Sequence, residues 1–395
     1  MLLSFEDYFL QTAITKLDYP QNKYLFSIMK HYFLSSLLLL MICLAGCGRR
    51  ADMEHRGIRN MDWTVSLQDS IELKDDSVSW VGSYFSTSGM LGYLDGKTSV
   101  LSFYNWENGK LIFRDLDKGR SRNELPEWGV ASAIDDSNVI VIYADNFLYF
   151  YDALQRKLEN RGFVNFGYST MGKEKDFESS HQYKLCDKTI YPLDSDHLLF
   201  PLACNSSDLD GWYEHSHIWG CYDHKTKKFT QLAGHLPAYY GQHPVPLFER
   251  FVSCKVGKGY VTTHLLDSLL YYHDTPDSVA FSFGYEIDKA DRNYTCREND
   301  MDDAMTAVKD EGVISLNQSL YYSRSMNVLI RTVITNKATD CVTTIQIYDM
   351  GTCDLKAEYR HSGQIEIMYS KGSDIYGVNM NPQDKNYIYR FEITR

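Results

Sequence analysis

Along most of the chain, apolar and polar residues alternate in short runs broken by turn residues, the period-two pattern of half-buried strands. In MLGYLDGKTSVLSF, residues 90–103, two such runs flank Asp95-Gly96, a strong hairpin signal. Asp136 to Asn138 before VIVIY, and Ser195-Asp196 before HLLF, punctuate the pattern in the same way. Two stretches depart from it. Between Asn299 and Gly312, Met301, Ala304, Met305 and Val308 fall at helical spacing, with a capping Asn299 and a terminating Gly312, so one short inserted helix is expected near 299–311. From Tyr32 to Gly48 the chain carries no charge.

The strand runs repeat. LSFYNWENGKL (101–111), YFYDALQRKL (149–158), GCYDHKTKKF (220–229) and QIYDMGTCDL (346–355) align on Tyr104-Asn105, Tyr151-Asp152, Tyr222-Asp223 and Tyr348-Asp349. Weaker copies stand at Tyr285-Glu286 and Phe391-Glu392. Tyr suits a pleated, half-buried strand, and Asp or Asn bonds its own backbone to start a turn. The apolar residue seven positions on then starts the returning strand. From Tyr104 to Phe391 the copies recur on average every ~57 residues, the size of an enlarged four-stranded propeller blade. After Phe391-Glu392 only Ile393, Thr394 and Arg395 remain, too few for a return strand, so another segment must cover that edge. Trp63 to Leu67 is free to do so. The expected fold is all-β: a six-bladed β-propeller over residues 62–395, closed by its N- and C-terminal strands.

The uncharged run reads as an export signal. LLLLMICLAGCGRR, residues 37–50, is at the lower limit for a spanning helix but fits a basic start, an apolar core and small residues before a cut. Leu44-Ala45-Gly46-Cys47 resembles the lipobox of bacterial lipoproteins. That resemblance implies a diacylglycerol on the Cys47 thiol, cleavage before Cys47, and a bilayer as partner through the acylated residue. Met29-Lys30-His31-Tyr32 would be an ordinary start for such a signal, whereas residues 1–28 hold acidic Glu6, Asp7 and Asp18. Residues 29–46 are therefore expected to be the signal peptide and 47–61 a lipidated tether. Residues 1–28 are expected to be an upstream extension outside the natural translation product. Gly48, where an Asp would mean inner-membrane retention in some lipoproteins, implies the outer membrane.

Net charge is −12, with no basic stripe, which excludes a nucleic-acid partner. Aromatics make up 14% of residues, 30 of them Tyr, in keeping with strands, and only nine prolines occur, with no Pro-rich linker. Of nine cysteines, Cys43 would leave with the signal and Cys47 would carry lipid. Cys186 and Cys204 are the expected disulfide, placed about a turn at Leu193 to His197 in a compartment where bridges form.

Candidate chemistry is sparse. Gly92 to Thr98 is one residue short of a phosphate loop and lacks a following helix. Asp208 and Asp210 in NSSDLDGWYEHSHIWG resemble half a calcium loop, but His217 stands where a bidentate Glu is needed. His215 and His217 share a face if the chain is extended, which suits a transition metal lacking a located third ligand. Trp212, Tyr213, Tyr239 and Tyr240 are the ligand-contact candidates, able to stack on sugars or peptides; Tyr271-Tyr272 is a further such pair. No HExxH or G-x-S-x-G motif occurs, and no cofactor is expected.

The lipobox together with six loose Tyr-Asp hairpins resembles the TolB-like six-bladed propeller lipoproteins of Gram-negative envelopes, many of them without assigned function. The implied role is a non-catalytic envelope lipoprotein binding an unknown protein or glycan, with Phe163–Tyr183 and Gly234–Glu249 as the loops to watch. The alternative is a glycan-acting propeller enzyme, which would need two carboxylates ~5–10 Å apart in a cleft.

Overall fold

The computed structural model describes residues 54–395 apart from 76–78, 80–81, 88, 120–122, 126–128, 134–137, 145–146, 164–182, 186–189, 205–215, 224, 238–249, 286–312, 338–340 and 381–385. The described residues are all β, in six antiparallel sheets. The inserted helix expected near 299–311 falls outside them.

A first strand, β1 (Thr64–Glu72), is followed by five complete blades. Blade 1 is β2 (Gly82–Thr87), β3 (Met90–Asp95), β4 (Leu101–Asn105) and β5 (Leu111–Asp115). Blade 2 is β6 (Gly129–Ala133), β7 (Val139–Ala144), β8 (Phe147–Asp152) and β9 (Lys157–Phe163). Blade 3 is β10 (Tyr183–Leu185), β11 (Tyr191–Pro192), β12 (His197–Cys204), β13 (His217–Asp223) and β14 (Lys228–His235). Blade 4 is β15 (Phe251–Val256), β16 (Gly259–His264), β17 (Leu270–Thr275) and β18 (Ser278–Phe283). Blade 5 is β19 (Val313–Ser323), β20 (Val328–Lys337), β21 (Cys341–Asp349) and β22 (Asp354–Ser362). Blade 6 is β23 (Ile365–Lys371), β24 (Asp374–Asn379) and β25 (Tyr387–Thr394), and its fourth strand is β1.

The expected closure is present. Thr64 pairs with Thr394, Ser66 with Glu392 and Leu67 with Phe391, in antiparallel register. The first strands of neighbouring blades touch one another, β2 with β6, β15 with β19, and β19 with β23, so they form the inner ring. In blade 3 this inner strand is broken. Tyr183 faces Cys204 and Tyr191 faces Leu199, so eight positions of the inner strand span five of β12.

The Tyr-Asp repeat is the turn between the third and fourth strands of a blade. Asn105 Oδ1 accepts from the Glu107 amide at 2.8 Å, Asp152 Oδ1 from Leu154 at 2.8 Å, Asp223 Oδ1 from Lys225 at 2.7 Å, and Asp349 Oδ1 from Gly351 at 2.8 Å. Each ladder slips at the Tyr, between Phe103 and Tyr104, Phe150 and Tyr151, Cys221 and Tyr222, and Ile347 and Tyr348. The slip absorbs the residue that the capped turn adds. Asp95 caps its hairpin in the same manner, with Lys97 at 2.8 Å and Thr98 at 3.0 Å.

One copy was misplaced. Tyr285 lies beyond the last strand of blade 4, where its amide accepts no turn role but donates to the Tyr348 hydroxyl of blade 5 at 3.3 Å. The true turn of blade 4 is the two-residue Pro276-Asp277 after Tyr272 and Asp274, preceded by register shifts at Tyr272/His273 and His273/Thr275.

Six apolar clusters fill the spaces between the six blades. Phe103, Leu101 and Ile140 join blades 1 and 2; Phe150, Phe200 and Phe229 join 2 and 3; Trp219, Phe251 and Tyr260 join 3 and 4. Phe283, Leu329 and Tyr348 join 4 and 5; Ile347, Ile367 and Phe391 join 5 and 6; Trp106, Tyr376 and Ile388 join 6 and 1. Fully burying one such side chain contributes roughly 1.5–3 kcal/mol, and the same wedge recurs at every boundary.

Residues 54–61, the described part of the stretch 47–61 expected as tether, run along blades 4 and 5 as a belt. The Arg56 amide donates to the Ser282 carbonyl at 2.8 Å and Ser282 returns a bond to Glu54 at 2.9 Å, on the outer edge of blade 4. Asn60 donates to Leu355 at 2.9 Å, and Leu355 to Ile58 at 3.0 Å, on the outer edge of blade 5. The Arg59 guanidinium then meets Glu358 at 2.6 Å before the chain enters β1. Unpaired strand edges are thereby covered by the chain's own backbone. Such pairing needs no apolar periodicity, which is why charge and polarity alone suggested a tether.

Candidate functional face

In an antiparallel blade, the links between first and second and between third and fourth strands leave from one end. The remaining links, including those between blades, leave from the other. At the first end every turn is short: two residues at 257–258 and 372–373, four at 324–327 and 350–353, five at 106–110. At the second end the flanking strands are separated by 116–128, 164–182, 205–216, 236–250 and 284–312. The propeller is thus tight on one face, and every link between its strands longer than five residues departs from the other.

Most of the sequence candidates belong to links whose described ends leave from that side. Asp208, Asp210, Trp212, Tyr213 and His215 belong to the link between β12 and β13, and Tyr239 and Tyr240 to the link between β14 and β15; all seven lie outside the described residues. Of the watched Phe163–Tyr183, residues 164–182 do as well, while Phe163 ends β9 and Tyr183 opens β10; Gly234 and His235, counted in the other loop, belong to β14. Cys47 also lies outside the described residues. Of the expected bridge, Cys204 stands opposite Tyr183 in the ladder, and Cys186 is outside the described residues. Tyr271-Tyr272 is packing: Tyr272 stacks on Phe281 with centroids 4.9 Å apart and Tyr271 is buried.

His217 is the described member of the metal candidates. It opens β13 and faces His235, the last residue of β14, as a register partner. Their ring centroids are 4.6 Å apart. His217 Nδ1 donates to the Gly234 carbonyl at 3.1 Å, and His235 Nδ1 to the Ser216 carbonyl at 3.3 Å. Sequence reading paired His217 with His215 and missed His235, because the register of the hairpin, not local spacing, brings the two rings together. Among the described residues no group of three or more His, Cys, Asp or Glu is arranged to hold a metal.

A buried polar cluster secures the same end of blades 4 and 5. Arg331, 3% exposed, donates to the Asp267 carbonyl at 2.7 Å, the Ser268 carbonyl at 2.9 Å, Asn317 Oδ1 at 2.6 Å and the Tyr285 carbonyl at 3.3 Å. Asn317 Nδ2 in turn donates to the carbonyls of His264 and Asp267, each at 2.6 Å. A guanidinium buried among carbonyl oxygens fixes both the 265–269 turn and the last described residue before 286–312. Beside it, burial pushes the imidazoles of His264 and His273 down to about 4, and His273 Nε2 bonds Thr262 Oγ1 at 2.9 Å. These groups are neutral framework, since desolvation disfavours their charged form.

No family model matches the chain, and no curated protein matches it in sequence. Solved structures match in fold. A member of the DUF4221 family from Bacteroides vulgatus aligns with TM-score 0.62 at 11% identity, covering 85% of this chain and 100% of that one. A protein from Bacteroides fragilis, described as a candidate exported protein, aligns with TM-score 0.51 at 15% identity, covering 87% of this chain and 98% of that one. The chain is a six-bladed β-propeller. Its structural neighbours include a DUF4221 member and a candidate exported protein, and at these identities the likeness is one of architecture, which does not fix a function.

Proposed function

We propose that the chain is a lipid-anchored, TolB-like propeller of the bacterial cell envelope that binds a protein or glycan without catalysis. The observation that carries the binding reading is the asymmetry between the two ends: turns of two to five residues at one, and all the long links at the other. A rigid scaffold presenting its longest connections on one face is the usual arrangement of a recognition surface. The links that hold Trp212, Tyr213, Tyr239 and Tyr240 leave from that face, and aromatic side chains there suit stacking on sugars or peptides. Leu44-Ala45-Gly46-Cys47 supports anchoring through Cys47, the fold likeness to a candidate exported protein is in keeping with export, and Gly48 after Cys47 is what favours the outer membrane.

A thermal-shift screen of the full chain against glycans and peptides tests the reading, since a ligand preferring the native state raises the midpoint. A shift that disappears in Trp212→Ala or Tyr240→Ala, with the ligand recovered intact, is the expected result. A glycan recovered hydrolysed would overturn it in favour of the enzyme.

A further inference from the structure

The belt and the buried polar cluster of blades 4 and 5 meet at Tyr285. We propose that the belt is a latch for the face of long links. Seated on blades 4 and 5, it fixes Tyr285, where the 286–312 link departs, together with the 265–269 turn; withdrawn, it releases both.

The connection is a closed circuit of hydrogen bonds that begins and ends in the belt. At one end the Tyr285 hydroxyl donates to the Gly57 carbonyl at 2.9 Å, and the His55 ring meets the same tyrosine edge-on, with centroids 6.1 Å apart. The Tyr285 amide donates to the Tyr348 hydroxyl at 3.3 Å, which donates in turn to Gln346 Oε1 at 2.7 Å. Gln346 Nε2 donates to Glu358 Oε1 at 2.7 Å, and Arg59 closes the circuit on Glu358 Oε2 at 2.6 Å. Gln346 and Tyr348 are fully buried, so the circuit runs through the interior of blade 5. Arg331 joins it to the face: the guanidinium holds the Tyr285 carbonyl and also those of Asp267 and Ser268 in the 265–269 turn.

Two features make the belt the part that moves. It is secured by one β-bridge on each blade, His55 with Ser282 and Arg59 with Leu355. The outermost ladders of the same blades pair at five positions, between β17 and β18, and at seven, between β21 and β22. From 54 to 60 every belt residue is exposed except the half-buried Gly57. Backbone with few contacts and wide exposure opens at the lowest free energy. The circuit does not survive that opening unchanged, because Glu358 loses its cation and the Tyr285 hydroxyl its acceptor. A polar network in a low-dielectric interior is rigid only while its members are satisfied. Belt and face therefore open as one unit.

Hydrogen exchange of the full chain, resolved to single amides, tests the latch in Arg59→Gln. The Arg56 and Asn60 amides report the belt. Those of Tyr285 and Leu269 report the face, Leu269 donating to Asp267 Oδ1 at 3.0 Å. All four should accelerate by a common factor of roughly five relative to Ile142 in blade 2, the scale of losing one partly exposed ion pair. Tyr285→Phe keeps the ring and removes the hydroxyl, and should accelerate Arg56 and Asn60 from the opposite end of the circuit. Faster belt amides with Tyr285 and Leu269 unchanged, or no change at any of the four, would overturn the latch and leave the belt a passive cover. The readout involves neither lipid nor ligand, so this inference and the recognition reading fail separately.

Discussion

The Tyr151 hydroxyl donates to Oδ2 of Asp115 at 2.9 Å, across the boundary between blades 1 and 2. Tyr104 does the same with Asp75 at 2.6 Å across the boundary between blades 6 and 1. Burial and then the neighbouring carboxylate push both phenols well above the ordinary tyrosine range. In blades 1 and 2 the repeated tyrosine therefore packs inside its own blade and bonds the chain that leads into it. Removing the hydroxyl in Tyr151→Phe should cost about 1.5 kcal/mol of unfolding free energy. A double-mutant cycle with Asp115→Asn should show coupling of about 1 kcal/mol, and strict additivity would contradict the link.

The belt makes its own prediction. Gly57 has a φ of +82°, and a Cβ there would stand 2.1 Å from the Cys353 carbonyl oxygen. Backbone cannot yield as a side-chain tip can. Gly57→Ala should therefore lower stability by ~1 kcal/mol or more and speed hydrogen exchange at the Ser282 and Leu355 amides, which bond the belt. Unchanged exchange at both amides would show that the belt is not held by these bonds.

Acid should weaken the fold before its carboxylates titrate. His264 and His273 are held neutral down to about 4 by burial, whereas an unfolded histidine takes its proton near 6.5. Their contribution is fully present above pH 6.5 and drains away as pH falls towards 4, because only the unfolded chain binds the protons. Denaturant unfolding at pH 7 and pH 5 should differ by on the order of 3 kcal/mol. Equal free energies at the two pH values would mean that the imidazoles are solvated.

Thiol chemistry gives a further check. Cys221, Cys254 and Cys353 are buried and form no disulfide, and burial pushes the Cys353 thiol up to about 11. A buried thiol that resists ionisation is a poor nucleophile. In the native protein at pH 8 these three should resist alkylation and react only on unfolding. Prompt labelling of Cys353 would place it at an opened belt.

Much of this architecture was legible because the fold repeats a local chemical solution. Asn105, Asp152, Asp223 and Asp349 cap turns that a seven-residue interval already announced. The missing partner of Phe391 pointed to β1, as its register with Leu67 shows. Tyr285 misled because Tyr-Glu after a strand copies the local pattern without the capped turn, while blade 4 turns through Pro276 with no such pattern. The belt and the His217–His235 pair were illegible for another reason. Both depend on pairing between segments far apart or on hairpin register, which spacing along the chain does not encode. Arg331 was missed likewise, since its acceptors are carbonyls that any residue could supply.

Metabolic labelling addresses directly the proposed attachment of the propeller to a membrane through Cys47. The gene expressed in a Gram-negative host fed with a tritiated fatty acid should yield a labelled product in the membrane fraction, beginning at Cys47 by mass spectrometry. Cys47→Ala should be unlabelled and shift to the soluble fraction. A soluble, unlabelled wild-type product that retains residues before Cys47 would contradict it.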